Sequence, residues 1–152
     1  MRALELKVPP PAVGLLIAAA MWGIAQVSPA TLAVPNPHFA AAVIALAGIS
    51  FDIAGLISFR RARTTINPLR PNKTTALVSS GVYRITRNPM YVGMLFLLIA
   101  WAIFLSSPWA LLGPLAFVLY MNRFQIGPEE RVLEGLFGDD FANYRKRVRR
   151  WL

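Results

Sequence analysis

Two arginines three residues apart, Arg84 and Arg87, precede an Asn88-Pro89 step within the stretch 80–93, SGVYRITRNPMYVG. Proline disfavours the α conformation at the preceding residue and is common at the first helical position, so we expect a helix to begin at Pro89. A helix N-terminus presents unpaired N–H groups and the positive end of the dipole. With two guanidinium groups beside it, this start predicts a site for an anionic or polar group. A basic loop that only fixes membrane topology would also account for the charges.

Two adjacent carboxylates open the second stretch that could do chemistry, the tail at residues 127–152. A Gly-Pro pair is typical of a helix start, and Glu129 and Glu130 fall in the first turn, where the helix dipole favours negative charge. Gly138 is expected to break this helix, and either of the two aspartates after it can cap a second one. An apolar stripe with basic flanks then predicts an amphipathic helix on the membrane surface. The stripe consists of Phe141, Tyr144, Val148 and Trp151.

The composition indicates a small integral membrane protein. The chain has 152 residues, of which 56% are hydrophobic and only 15% charged, and its mean hydropathy is +0.50. Its net charge of +9 lies in loops beside apolar runs, so anionic lipid headgroups explain it better than nucleic acid does. The absence of cysteine excludes disulfides, thiolate metal sites and cysteine nucleophiles, and with a single histidine we expect no metal site.

Four apolar runs predict an all-α membrane bundle that forms one domain over residues 1–152. All 16 basic residues lie before the first run, between the second and third, or from the end of the fourth onward. The positive-inside rule therefore places both termini in the cytoplasm, and the small size favours a bacterial inner membrane. Residues 60–88 and 127–152 would then be the cytoplasmic parts. The predicted spans are residues 12–27, 39–59, 89–107 and 109–126.

One acidic residue, Asp52, lies inside the second apolar run. An ionisable group within a membrane segment indicates a functional site by default. Here we favour pairing with a basic residue just beyond the run over a functional role. The candidate partners are Arg60, Arg61 and Arg63.

The two stretches together resemble a known family. The pattern G-x-Y-R-x-x-R-N-P-M-Y-x-G, followed after two spans by E-E-x-x-L-x-x-x-F-G-x-x-F-x-x-Y-x-x-R-V, is similar to that of isoprenylcysteine carboxyl methyltransferases and the related membrane phospholipid methyltransferases. The resemblance covers roughly residues 64–150. It implies S-adenosylmethionine as methyl donor, bound at the cytoplasmic face by the loop before the third span and by the C-terminal helices. The acceptor would be a lipophilic carboxylate or a phospholipid-type amine that enters from the bilayer. A homo-oligomer is possible.

The resemblance also implies roles for individual residues. The arginines of the first motif would hold the cofactor carboxylate, and the paired glutamates its ammonium or ribose hydroxyls. Tyrosines would contact the adenine, while Arg147 would orient an acceptor carboxylate or pair with Glu130. The implied cofactor-binding residues are Tyr83, Arg84, Arg87, Asn88, Pro89, Tyr91, Gly93, Glu129, Glu130 and Tyr144. The implied catalytic residues are Arg147, Glu130 and Asn88.

The sequence departs from the family pattern at Asn88, where many members have histidine. An asparagine side chain can donate and accept hydrogen bonds but cannot titrate. Asn88 therefore fits a positioning role better than a basic one. A carboxylate acceptor needs no base, whereas an amine or thiol would need one, for which Asp52 or a glutamate is available.

Other classes of protein share parts of this pattern. A non-catalytic membrane protein that keeps the fold for assembly, or for lipid or heme traffic, would fail to bind S-adenosylmethionine. An NADPH-dependent membrane reductase would need more spans than this chain has. A four-span multidrug transporter would need a carboxylate in the first run, which has none. Reading that first run as a signal peptide would leave an odd number of spans.

Overall fold

The computed structural model describes residues 5–28, 30–62 and 76–152, and this part of the chain is helical, as predicted. Two 3-10 turns, Gly81–Arg84 and Pro108–Leu111, and a π-helical segment, Met121–Ile126, join the α-helices. Most of the basic loop, including Arg63, lies outside the described residues. The α-helices of the described part are α1 (Pro10–Val27), α2 (Pro37–Arg61), α3 (Pro89–Phe104), α4 (Leu112–Tyr120) and α5 (Gly127–Arg147).

Prolines set several of the helix starts. α1, α2 and α3 each begin at a proline, and α5 has one at its second position, where the missing N–H costs nothing and the fixed φ suits a helix. The predicted start at Pro89 is confirmed. α3 ends at Phe104 rather than at residue 107, because the chain turns at Ser106, whose φ is +49°. The fourth apolar run is helical throughout, but it passes from 3-10 to α to π geometry.

The helical segments run back and forth between two ends of the molecule. At one end, Glu5 pairs with Arg131 at 2.6 Å, which brings the chain before α1 against the start of α5. At the other end, the Leu32 N–H donates to the Ser106 carbonyl at 2.7 Å, so the connection after α1 meets the connection after α3. The two connections without Lys or Arg therefore share one end.

Glycines allow α2 to lie very close to α3. A Cβ atom on Gly48 would stand 2.7 Å from the Gly93 carbonyl oxygen and 3.0 Å from the Phe96 Cβ. A Cβ on Gly93 would collide with the Asp52 carboxylate. Apolar helices surrounded by lipid gain no hydrophobic driving force for association. They usually pack through small residues, which let their backbones come close together.

The core lies where α1, α3 and α4 meet. Met21, Ala102 and Phe117 are almost wholly buried there. The outward faces are also apolar, and α1 and α2 are long and apolar enough to cross a membrane, while α3 is apolar but shorter. Large apolar side chains exposed on the outer faces of the helices include Leu15, Val27, Phe39, Leu46, Ile53, Leu115 and Leu119.

The tail differs from the amphipathic surface helix that its sequence predicts. The expected break occurs at Gly138, whose φ of +47° is outside the helical region, but Val148 is extended, so the helix ends at Arg147 and Trp151 is not part of it. The apolar stripe is also covered by protein. Phe141 and Tyr144 are buried in a second cluster with Val78 and Tyr83, because the chain before α3 lies across that face.

Replacing Gly48 with alanine is expected to destabilise the protein by about 1–3 kcal/mol, since the added methyl meets the backbone of α3 and cannot be relieved by a side-chain rotation. Gly23→Ala in α1 is the matched control, because its Cβ meets nothing within 4 Å and alanine favours the helix by up to about 1 kcal/mol. Thermal unfolding of the detergent-purified protein measures both. Equal melting temperatures for the two variants would contradict the close packing of α2 on α3.

Candidate functional site

A buried ion pair joins the two sequence motifs. The Arg87 Nη2 lies 2.7 Å from the Glu130 Oε1, and the two side chains are only 9% and 11% exposed. The other end of the Arg87 guanidinium donates to the carbonyls of Arg145 and Val148 at 3.0 and 3.1 Å. Arg87 thereby ties the turn before α3 to both ends of α5, while the role that the resemblance implies for it, holding the cofactor carboxylate, stays a prediction.

The chain after α5 folds back onto the first motif. Residues 148–152, here called the C-terminal segment, leave the helix at the extended Val148 and form an isolated parallel β-bridge between Arg149 and Thr86. The Arg150 carbonyl accepts hydrogen bonds from the Thr86 hydroxyl at 3.1 Å and from the Asn88 amide at 2.9 Å. Asn88, a predicted catalytic residue, therefore holds this segment in place.

Arg150, rather than Arg147, is the second partner of Glu130. Its guanidinium donates to both carboxylate oxygens of Glu130 and, at 3.3 Å, to the side-chain oxygen of Asn122. Of the two roles that the resemblance implies for Arg147, pairing with Glu130 is not seen, because the extended backbone at Val148 carries Arg150 back toward the carboxylate, and orienting an acceptor carboxylate stays a prediction. Arg147 instead donates to the Asn143 carbonyl.

Glu129 has different surroundings from its neighbour. Its Oε1 accepts hydrogen bonds from the Tyr91 hydroxyl at 2.8 Å and from the Gln125 amide at 2.9 Å. Within the described ranges, Glu129 forms no ion pair. Burial raises the pKa of Glu129 to about 7, and the two hydrogen bonds limit the rise, while the negative charge of Glu130 adds to it.

The π-helical segment positions two of these polar partners. Met121–Ile126 carries Asn122, which accepts from Arg150 and from the Trp151 ring N–H at 3.1 Å, and Gln125, which donates to Glu129. A π turn changes the register of the residues that follow it and is frequent at functional sites. Here it directs one amide side chain to Glu129 and the other to Arg150, which in turn binds Glu130.

A cleft opens beside Tyr144. It has a volume of about 290 Å³ and is lined by Ser79, Arg84, Tyr144, Arg147 and Val148. The Tyr144 hydroxyl donates to the Tyr83 carbonyl at 2.7 Å, so this ring forms a fixed wall of the cleft.

The structure divides the predicted residues into groups. Five of them lie in two adjacent hydrogen-bonded sets, together called the polar network. Arg87, Asn88 and Glu130 are bonded with the C-terminal segment, which also reaches Asn122, and Tyr91 and Glu129 are bonded with Gln125. The two groups outside this network are Arg84, Tyr144 and Arg147 at the cleft, and Tyr83, Pro89 and Gly93, which are buried.

Gly93 and Asp52 belong to the contact between α2 and α3. Gly93 faces Asp52 and the Gly48 carbonyl, so the structure assigns it to helix packing. The favoured pairing of Asp52 with a basic residue is not seen for Arg60 or Arg61, since Asp52 has no ion pair or hydrogen bond within the part of the chain that the structure describes.

Several polar residues of the site were not singled out from the sequence. They are Thr86, Asn122, Gln125, Arg150 and Trp151. The polar end of the fourth apolar run was a usable signal for Asn122 and Gln125, since polar side chains are rare there. Nothing in the spacing identified Arg150, because its role depends on the chain leaving the helix three residues earlier.

The described helices form a mostly apolar bundle with polar side chains gathered at one end, and comparison with known proteins identifies the family. The sequence profile described as phospholipid methyltransferase matches residues 36–140. Because the match covers more than half of the chain, the chain belongs to this family.

Individual relatives agree with this assignment. A protein-S-isoprenylcysteine O-methyltransferase B of Arabidopsis thaliana is 31% identical over 96 residues, covering 61% of this chain and 47% of the relative. A protein-S-isoprenylcysteine O-methyltransferase of Schizosaccharomyces pombe is 34% identical over 80 residues, covering 51% and 33%. An uncharacterised protein of Haemophilus influenzae is 46% identical over 63 residues, covering 41% of this chain and all of the relative. The chain thus matches about half and a third of the two methyltransferases.

Replacing Glu130 with glutamine is expected to lower the free energy of unfolding by about 3–5 kcal/mol, since it leaves the buried Arg87 charge without a counter-ion. Glu134→Gln is the matched control, because Glu134 pairs with Arg145 at 3.7 Å with both side chains nearly half exposed. Such a pair contributes under about 1 kcal/mol. Chemical denaturation of both variants measures the difference, and a loss of similar size in each would argue against a buried ion pair.

Proposed function

We propose that the protein is an S-adenosylmethionine-dependent methyltransferase that acts on a lipophilic acceptor at the cytoplasmic face of a membrane. The observation that carries the proposal is the buried Arg87–Glu130 ion pair. It brings the two family motifs, 43 residues apart at these positions, into one site. Family membership and the names of the relatives support the reaction class.

The residues of the site fit a cationic cofactor. Glu129 is a partly buried carboxylate, and no cation in the described ranges pairs with it. A positive group bound there would stabilise its ionised form, which burial disfavours. Glu130, in contrast, already has two guanidinium partners. Of the two adjacent glutamates, we therefore assign Glu129 to the ammonium or ribose of the cofactor.

The remaining residues of the network act by positioning. S-adenosylmethionine, when bound, supplies an electrophilic methyl group on a positive sulfur. In-line transfer of that group depends mainly on alignment of the reactants and on fixed charges. Arg87 and Arg150 hold Glu130, while Tyr91 and Gln125 orient Glu129. Asn88, which cannot titrate, fixes the C-terminal segment beside them.

The membrane setting is supported by where the charges and the apolar faces lie. The site is at the end of the molecule where Glu5 meets Arg131, opposite the two connections that lack Lys and Arg. The helices between the two ends expose large apolar side chains. By the positive-inside rule the site end would be cytoplasmic, and an acceptor dissolved in the bilayer would reach it along α2 and α3.

The affinity for S-adenosylmethionine is expected to rise with pH up to about 7 and then level off. Below its pKa, Glu129 is protonated, and a cationic ligand must displace that proton, which weakens binding by up to about tenfold for each pH unit. Glu129→Gln should bind at least about tenfold more weakly at pH 8 and lose this dependence. Calorimetric titration of wild type, Glu129→Gln and the control Glu134→Gln tests this, and an unchanged affinity in Glu129→Gln would remove Glu129 from the site.

Methyl transfer itself is tested by incubating the purified protein with radiolabelled S-adenosylmethionine and a lipid extract. We expect label in the organic phase, and mass spectrometry of the product then distinguishes an ester from an N-methylated lipid. Heated protein is the control. Absence of both cofactor binding and labelled lipid would favour a non-catalytic membrane protein with the same fold.

A further inference from the structure

We propose that the cleft between the 3-10 turn before α3 and the end of α5 is a binding site for a phosphate group. Arg84, the last residue of the 3-10 turn Gly81–Arg84, lines one part of the cleft, and Arg147, the last residue of α5, lines another. Two cationic side chains from separate parts of the chain thus line one concavity. The resemblance had implied the cofactor carboxylate for Arg84, and for Arg147 either an acceptor carboxylate or Glu130.

Among the described residues, no carboxylate compensates the charge of either arginine. In the described part of the chain, neither Arg84 nor Arg147 has a carboxylate partner, and Arg147 donates only to the Asn143 carbonyl, at 3.3 Å. Other basic residues of the tail differ in this respect: Arg145 pairs with Glu134, and Arg150 with Glu130. Two unpaired guanidinium groups that face one cleft repel each other, and an anion between them relieves that repulsion.

The lining favours phosphate over a carboxylate. A single guanidinium can satisfy the two oxygens of a carboxylate in a fork-shaped pair, whereas a phosphate has enough oxygens for two arginines and a hydroxyl. Ser79 supplies a hydroxyl on the same lining, and the fixed ring of Tyr144 forms the wall. The volume of about 290 Å³ lies at the lower limit of typical small-molecule pockets, so it suits a headgroup-sized fragment rather than a whole lipid.

The cleft adjoins the network that holds Glu129 and Glu130 at Val148, whose carbonyl accepts from Arg87, but neither glutamate lines the cleft. Arg87, which is three residues from Arg84, directs its guanidinium to Glu130 and to backbone carbonyls of the tail, and does not line the cleft. The phosphate assignment therefore does not depend on the proposed cofactor role of Glu129. Two sources share the required chemistry, the headgroup of a membrane phospholipid and a soluble phosphate ester.

The test uses the full chain in a neutral detergent and calorimetric titration with glycerol 3-phosphate, with glycerol as the uncharged probe. We expect binding of glycerol 3-phosphate alone and at least tenfold weaker binding in Arg84→Gln and in Arg147→Gln. Lys146→Gln is the matched control, since it removes one exposed positive charge next to Arg147 without altering the lining. Its affinity should stay within twofold of the wild type. Thermal unfolding confirms that each variant is folded.

Competition then identifies the source of the phosphate. Displacement of the probe by lysophosphatidylglycerol in mixed micelles indicates a lipid headgroup, and displacement by inorganic phosphate without an effect of the lysolipid indicates a soluble ester. The phosphate site is refuted if the wild type does not bind the probe, if the arginine variants bind as well as the wild type, or if Lys146→Gln weakens binding equally. Displacement by S-adenosylmethionine would also refute it, since the cleft would then belong to the cofactor. Glu129→Gln should bind glycerol 3-phosphate as tightly as the wild type. A failure of the proposed methyltransferase function can therefore be distinguished from a failure of the phosphate site.

Discussion

A buried charge pair between Arg87 and Glu130 sets the arrangement of the polar end of this protein. Neither group tolerates burial without its partner, so α5 and the turn before α3 are held in contact wherever the chain is folded. Arg87 also donates to carbonyls at the end of α5, and Arg150 adds a second positive charge to the same carboxylate. Of the two adjacent glutamates, the resulting arginine-glutamate-arginine group leaves Glu129 without a charged partner in the described ranges.

The apolar part of the chain has a different basis. α2 lies against α3 through glycines, and α1, α3 and α4 share a core of closely packed side chains. Their outer faces carry large apolar residues that a water-soluble protein of this size would seldom expose in such numbers. An apolar bundle that is rigid at its glycine contacts gives a fixed base for the polar network, because α3 and the π-helical segment both enter the network directly from that bundle.

The sequence was informative where local chemistry decides the structure, and uninformative where distant contacts do. The start of α3 at Pro89 and the break at Gly138 follow from proline and glycine geometry. The meeting of Arg87 with Glu130, 43 residues apart, was implied only by the family resemblance, which places both in one site. The end of α5 follows from neither. Periodicity continues through Val148 and Trp151, but the segment gains more from its hydrogen bonds to Thr86 and Asn88 than from another helical turn, and those partners are more than 60 residues away. For this reason the sequence pattern indicates Arg147, and not Arg150, as a partner of Glu130.

The π-helical segment makes the spacing between the bundle and α5 critical. Each residue of an α-helix rotates the chain by about 100°, so loss or gain of one residue between Tyr120 and Gly127 would turn the whole of α5 by that angle. Glu129 and Glu130 would then face away from Tyr91 and Arg87, even though every side chain of the site were still present. The π-helical segment thus sets the rotation of α5 relative to α4. The orientation of α4 is fixed by apolar packing, and that of α5 by its charged side chains.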